Sequence, residues 1–498
     1  MPLFFLITLT ILFRLPPILN ANAINSDAAV VALQARHILK GEWSSSLWGI
    51  GYQSSFDALM TALGFALAGE SARTVILVQT CGYLLLVFFS YQTLQRHLGS
   101  IKAAILNLPL VFAPIALSIP LLYAGRQWCI TVLFGSIWCL QRAGTSKFPR
   151  LFYALGVSTA LLALHLDRFA LIFMPGILFL IVTSLRDGCA TNRLVLQRIG
   201  ACLSGGVIGL LSYYLVHATD EPVSQMQWGL TYLSKNLPLL WSSCLPYLLS
   251  YRVFIPGGNL YPDLWRPPGG FLGVQLLGAV VFIALLAFGG ASIVLARIPW
   301  PIRRLGVVGL IICACSLGGF CLSVMPVDVW SVRYLSPILW SAPFAIAPAA
   351  FLLRGRSLAL LLGPYLISAA VAGWLSWGDS TKAIVPALTA RGQAAEERQL
   401  GAYLRGKGIE AGAAQYWLAY RLTFLFHENP VVIPLNPGED RYEPYRRKFA
   451  MAPIKVYIFH PSEPRAIPDP YEAIFRRTGV HFERVLISGF ILLIVRGQ

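Results

Sequence analysis

The apolar runs of the first 377 residues are nearly free of ionisable side chains, and polar residues gather instead at run ends and in three segments, 20 to 56, 218 to 270 and 325 to 333. Channels and carriers keep charges inside their spans, because the transported species needs partners at membrane depth. Nearly clean spans point instead to chemistry at one membrane surface. The candidates there are Asp27, Asp57, the His165, Asp167 and Arg168 turn, Arg126, Arg252 and Arg333. Most have a purely structural alternative. Asp27 precedes AAVVALQARHIL, whose apolar residues have helical spacing, so Ser26 or Asp27 could serve as the N-cap. Asp57 could be a polar residue on a second amphipathic helix, 56 to 68, the two helices forming a platform on the membrane. The HLDR segment could be a self-paired turn, and Arg126 and Arg252 could snorkel from span ends.

The elements that must position these groups follow from composition. The 498 residues include 39 Lys and Arg against 22 Asp and Glu, a net +17 that in a soluble chain would suggest nucleic acid. Only 12% are charged, however, 56% are hydrophobic and the mean hydropathy is +0.66, against about 25% charged in soluble domains. The chain reads as an α-helical polytopic membrane protein. About eleven apolar runs suit spans: 3–19, 71–95, 103–121, 127–140, 151–164, 169–185, 199–216, 271–295, 305–324, 334–353 and 358–377. With the first residue inside, alternate loops carry thirteen Lys and Arg against Asp187 alone, as the positive-inside rule requires. The basic excess is therefore mostly topology, and no nucleic-acid partner is needed.

An odd span count puts residues 378–498 on the outer face, as a soluble domain after a membrane domain of residues 1–377 whose first outer loop covers 20–70. EERQLGAYLRGKG and QYWLAYRLTFLF have helical spacing, VVIPL and IKVYIF read as strands, and FERVLISGFILLIV reads as a strand pair. A small α/β lobe is expected, with joints at NPGEDRYEP and HPSEPRAIPDP; its helix YWLAYRLTFL reads as lobe core. Ala21-Asn22-Ala23 resembles a signal-peptidase site, but the missing basic n-region and the Arg14-Leu15-Pro16-Pro17 interruption favour a retained span, with Arg14 anchoring its outer end. Most of the nine cysteines sit in apolar stretches and imply no disulfide framework. Trp43, Trp48, Trp228, Trp241, Trp265, Trp330, Trp374 and Trp377 lie near outer boundaries, as an interfacial belt or, for the first-loop pair, as sugar-stacking surfaces.

A first span containing Arg14, a loop Asp, ALQARHILKGE and WGIGYQSSFDALMTALGFALAG together resemble the GT-C membrane glycosyltransferases, in the branches near protein O-mannosyltransferases and the lipid A aminoarabinose transferase. YAGRQWCITVLFG, SKNLPLLWSSCLPYLLSYR, VRYLSPIL and, in the tail, QYWLAYRLTFL followed by RYEPYRRKF extend the resemblance over essentially the whole chain. It implies a GT-C transmembrane domain with an extracytoplasmic lobe, in the cytoplasmic (inner) membrane. The implied reaction moves a sugar from a polyprenyl-phosphate donor to a lipid, glycan or protein acceptor, with inversion. Such a step needs a carboxylate for the acceptor proton and cations for the departing phosphate. Asp27 falls at the family's first-loop acid, and Arg333 matches the Arg of its RYL-type motif, a planar donor suited to phosphate. Arg126 and Arg252 are further phosphate candidates, and Asp57 and Asp167 are candidates for a second carboxylate. No cofactor is assigned: Ala28 stands where many relatives have a second acid, Gly125-Arg126-Gln127 stands where others have one, and a divalent cation would want several oxygen ligands. Rival readings are a lipid or polysaccharide transporter and a ligase for whole glycans.

Overall fold

The computed structural model describes residues 1–19, 21, 24–112, 126–187, 191–217, 227–255, 263–376, 394–461 and 466–496. The expectations for Asn22, Ala23, 113–121, Gly125, 218–226, Trp377 and the junction between the two domains fall outside them. Within the described residues, helices stand at all eleven expected span positions. Seven helices are long and apolar enough to cross a membrane: Ala72–Leu98, Pro149–Leu166, Asn192–Tyr214, Phe271–Ser292, Trp300–Leu322, Val329–Leu352 and Gly355–Leu375. An apolar run in lipid has no water to satisfy its backbone, so it closes its hydrogen bonds within one helix. The chain is a multi-pass membrane protein.

Val329–Leu352 is the most enclosed of these helices. Gly289 and Gly309 on its neighbours leave no room for a side chain: an added Cβ would lie 2.2 Å from the Ala345 carbonyl oxygen and 2.4 Å from the Ala345 nitrogen. Small residues let helices approach closely where lipid supplies no hydrophobic drive between them. This central helix begins with a 3₁₀ stretch, Val329–Leu335, that carries Arg333. The basic loops meet one another at one end of the bundle. Arg304 pairs with Asp187, Arg198 donates to the Asp187 carbonyl at 2.8 Å, Arg150 reaches Gln197 at 2.5 Å and Lys102 reaches the Phe351 carbonyl at 3.3 Å.

The first span differs from expectation. It is broken into Pro2–Phe13 and Leu15–Leu19, and Arg14, between them, is 1% exposed with its guanidinium 3.8 Å from the Tyr83 ring centre, packed inside the bundle rather than at a surface.

The first outer loop forms a helix, Ser26–Leu39, an antiparallel hairpin of β1 (Ser46–Leu47) and β2 (Ile50–Ser54), and a helix, Phe56–Ala68. A second hairpin, β3 (Val253–Ile255) with β4 (Asp263–Trp265), lies in the middle outer loop. In the lobe, β5 (Ala411–Ala414) runs parallel between β6 (Val431–Pro434) and β7 (Ile454–Phe459), and the hairpin of β8 (Phe482–Ile487) and β9 (Phe490–Arg496) completes the five-stranded sheet through β9 against β7. Helices Ala395–Gly406, Tyr416–Leu425, Glu443–Met451 and Pro468–Arg477 accompany it.

The lobe and the first loop share a core. Ala28, Val31, Ala35, Ala58 and Phe65 pack with Tyr416, Tyr420, Phe424, Ile433 and Tyr445 in one buried cluster. Residues Ala28–His37 are buried all round, so this helix is sandwiched beneath the lobe, not laid on the membrane with one wet face as its amphipathic pattern suggested.

Candidate active site

Asn25 caps the helix Ser26–Leu39, its side chain accepting from the Ala28 amide at 3.0 Å. That corrects the capping alternative for Ser26 and Asp27 and frees both side chains. The Ser26 hydroxyl donates to the Tyr416 carbonyl, and the Asp27 carboxylate accepts a hydrogen bond from the Tyr416 hydroxyl. Tyr416 follows β5 by two residues, at the carboxyl end of a parallel strand, where α/β sheets gather their chemistry. Arg441 lies beyond the carboxyl end of the adjoining β6. Its Nε donates to the Tyr416 hydroxyl oxygen at 3.1 Å and its Nη1 to the Gly49 carbonyl at 2.7 Å. Gly49, at φ +63°, makes that approach feasible, since a Cβ there would lie 2.7 Å from the Arg441 Cα.

Burial pushes the Asp27 carboxyl above its ordinary value, partly offset by the Tyr416 hydrogen bond and the charges of Arg441 and Arg333. Burial and the neighbouring Asp27 push the Tyr416 phenol up as well, so it stays protonated and donates. A carboxylate tuned upward in this way is a stronger base at neutral pH.

Arg333 donates to the Tyr334 hydroxyl at 3.2 Å and makes no ion pair among the described residues. Its charge acts on Asp27, Arg126 and Tyr52. Tyr52, in β2, lies among Arg126, Arg333 and Arg441, with burial pushing its phenol up. Arg126 donates from Nε to Asp167 at 2.8 Å and lies 4.3 Å from the Phe169 ring centre. Asp167 is fully buried, and also accepts from Gln53 at 2.9 Å and from the Phe169 amide at 2.8 Å. The HLDR turn is therefore not self-paired: its acid is spent on Arg126, while His165 contacts Ser212 at 2.9 Å. The result is one carboxylate, Asp27, acted on by Arg441 and Arg333, with the hydroxyl of Tyr416 on it and Tyr52 among the same cations.

Two candidates lie elsewhere. Arg252 is exposed and donates to the Ser242 carbonyl at 3.2 Å. Asp57 is buried in the first turn of its helix, near Cys129 rather than among the charges that act on Asp27. Trp48 stacks on Tyr442, ring centres 3.9 Å apart, so it docks the lobe and is not an open sugar platform. Sequence reasoning missed Tyr416, Arg441, Tyr52 and Gln53 as site residues, although each lies in a segment that carried the resemblance. Tyr416, moreover, read chiefly as part of the lobe core.

The structure can be set beside known folds. ArnT from Cupriavidus metallidurans, solved bound to undecaprenyl phosphate, superposes with a TM-score of 0.57 over 97% of both chains at 13% identity. The chain has a GT-C fold. The apo form of that ArnT gives a TM-score of 0.45 at 12% identity over 97% of both chains, and the oligosaccharyltransferase of Archaeoglobus fulgidus, in complex with Zn and sulfate, gives 0.48 at 12% identity over 99% of this chain and 73% of that one. No protein-family model and no curated protein matches the sequence. Within this GT-C fold the outer lobe contributes side chains directly to the candidate site.

Proposed function

We propose that this protein is an integral membrane glycosyltransferase that moves a sugar from a polyprenyl-phosphate donor to a hydroxyl or amine of a lipid, glycan or protein on the outer face of the cytoplasmic membrane. The observation that carries the reading is Arg333, a guanidinium without an ion-pair partner among the described residues, acting across the site on the half-buried carboxylate of Asp27. Superposition on a protein solved with undecaprenyl phosphate supports the donor class.

In this reading the acceptor oxygen or nitrogen forms a bond to the anomeric carbon as the carbon–oxygen bond to phosphate breaks. The acceptor proton passes to Asp27 and the electron pair leaves with polyprenyl phosphate, inverting the anomeric centre. Arg333 takes the phosphate as a planar donor, and Arg126, tethered by Asp167, adds positive charge beside it. Arg252, turned to solvent, has no part in this step. The reading uses no divalent cation: hard cations want several oxygen ligands, and the charged groups acting on Asp27 are two guanidiniums.

The test is mass spectrometry of glycolipids and surface glycans from a deletion strain, the same strain with the wild-type protein, and the same strain with Asp27→Asn at matched expression. One sugar mass should vanish on deletion, return with wild type and stay absent with Asp27→Asn. Accumulation of lipid-linked precursors together with full rescue by Asp27→Asn would replace this reading with transport or whole-glycan ligation.

A further inference from the structure

The lobe touches the first-loop helix at both ends. Helix Tyr416–Leu425 runs alongside Ser26–Leu39 in the same direction. At the amino end Tyr416 bonds to Ser26 and Asp27; at the carboxyl end Arg36 reaches the Phe424 carbonyl at 3.3 Å and Glu428 at 3.1 Å. The Tyr416 hydroxyl bridges Asp27 and Arg441, donating to the first and accepting from the second. Arg441 is held in turn by the Gly49 carbonyl, and its own backbone amide donates to the Tyr420 hydroxyl at 2.5 Å. Every link in this chain except Asp27 and Gly49 belongs to the lobe.

We propose that the outer lobe is a working part of the active site, in which Tyr416 and Arg441 are positioning residues that fix the direction of the Asp27 carboxylate and control whether it holds a proton. The proposal rests on Asp27 being the catalytic carboxylate. Asp27 is half-buried, where a carboxylate without partners is costly, and the hydroxyl and the guanidinium together favour the ionised form that can receive the acceptor's proton. Separation of the lobe from the loop removes both at once. Asp27 would then lose its fixed orientation together with the lobe's share of its burial, so transfer is confined to the docked arrangement.

The test is labelling of the full-length protein in detergent with dicyclohexylcarbodiimide, which attacks protonated carboxyls in apolar surroundings. Modification of the Asp27 peptide is followed by mass spectrometry from pH 5 to pH 9, with Asp27→Asn assigning the site. Tyr416→Phe, which keeps the ring and deletes only the hydroxyl, and Arg441→Gln should each move the labelling midpoint up by about one pH unit or more. Arg441→Lys should bring it back part of the way. Labelling that appears in these variants but is absent from wild type supports the same conclusion. A midpoint unchanged or lowered in both variants, or no labelling in any protein, overturns it. Because the reagent needs no donor, a shifted midpoint together with full transfer by Asp27→Asn would remove the catalytic role of Asp27 and leave the lobe's control of its proton intact.

Discussion

At the scale of single residues, the site depends on which charges are already satisfied. Arg126 has its counter-charge in Asp167, whereas Arg333 has only the phenol of Tyr334 beside it among the described partners. Lys carries the charge of Arg but not its planar two-pronged donor. Arg333→Lys is therefore expected to raise the KM for the polyprenyl-phosphate donor by about tenfold or more, the worth of one lost hydrogen bond to a charged group, with a smaller effect on kcat; an unchanged donor KM would take Arg333 out of the phosphate site. Asp167→Asn is nearly isosteric yet leaves a buried guanidinium without its partner, a loss of about 3 kcal/mol. Its apparent melting temperature should drop well below that of Arg252→Gln, which alters an exposed side chain. Equal melting temperatures would mean that the Arg126–Asp167 pair does not hold the outer end of the bundle together. Asp27 and Arg333 were legible from the first-loop acid and the RYL motif. Tyr416 was not, because it lies 389 residues away in sequence and its apolar neighbours read as core.

Among the elements, the long helices were legible because an apolar run of span length has few alternatives. Six of the lobe's elements also fell where spacing placed them. The missed ones have physical reasons. Strand β5, Ala-Gly-Ala-Ala, lacks the branched side chains that mark a strand; it is central because small residues let β7 come close, and a Cβ at Gly412 would lie 2.9 Å from a Val456 methyl carbon. Helices Glu443–Met451 and Pro468–Arg477 were hidden inside proline-rich joints, yet each has proline within its first two positions, where the missing N–H costs nothing. The junction of loop helix and lobe carries its own pH dependence. His37 lies between Glu42 at 2.6 Å and Glu428 at 2.7 Å, and Glu428 also meets Arg36, Lys40 and Tyr445. Burial opposes the charge on His37, but the hydrogen bonds it donates to Glu428 and Glu42 outweigh it and raise its pKa above 6.5. Burial likewise opposes the charge on Glu428, and His37, Tyr445 and Arg36 outweigh it, holding the carboxyl well below 4.5. The His37 contribution is complete below 6.5 and is lost as pH rises through the raised value. The Glu428 contribution is complete above 4.5 and is lost as pH falls toward the depressed value. Both are therefore complete only between about 4.5 and 6.5. The wild-type melting temperature should fall between pH 6 and pH 8 more steeply than that of His37→Gln; parallel slopes would show that this junction is insensitive to the proton on His37.

For the whole molecule, the two ends of the bundle have opposite characters that one count of charges foretold. The loops rich in Lys and Arg meet around Asp187 at one end, and Asp27, Arg333 and the lobe lie together at the other. If cations are retained on the cytoplasmic side, as the positive-inside rule has it, the orientation proposed here puts the lobe and the candidate site outside. A polyprenyl-phosphate donor suits this arrangement, because its phosphate lies at the membrane surface where Arg333 enters the central helix while its chain stays in lipid. Single cysteines test the orientation at two exposed positions, Lys407 in the lobe and Lys147 in a basic loop, introduced into a protein whose native cysteines are replaced by serine or alanine. In sealed right-side-out vesicles, a membrane-impermeant maleimide should modify Lys407→Cys at once and Lys147→Cys only after the membrane is opened. The reverse pattern would put the active site on the cytoplasmic face, where soluble nucleotide sugars are available and the case for a lipid-linked donor would lose its physical basis.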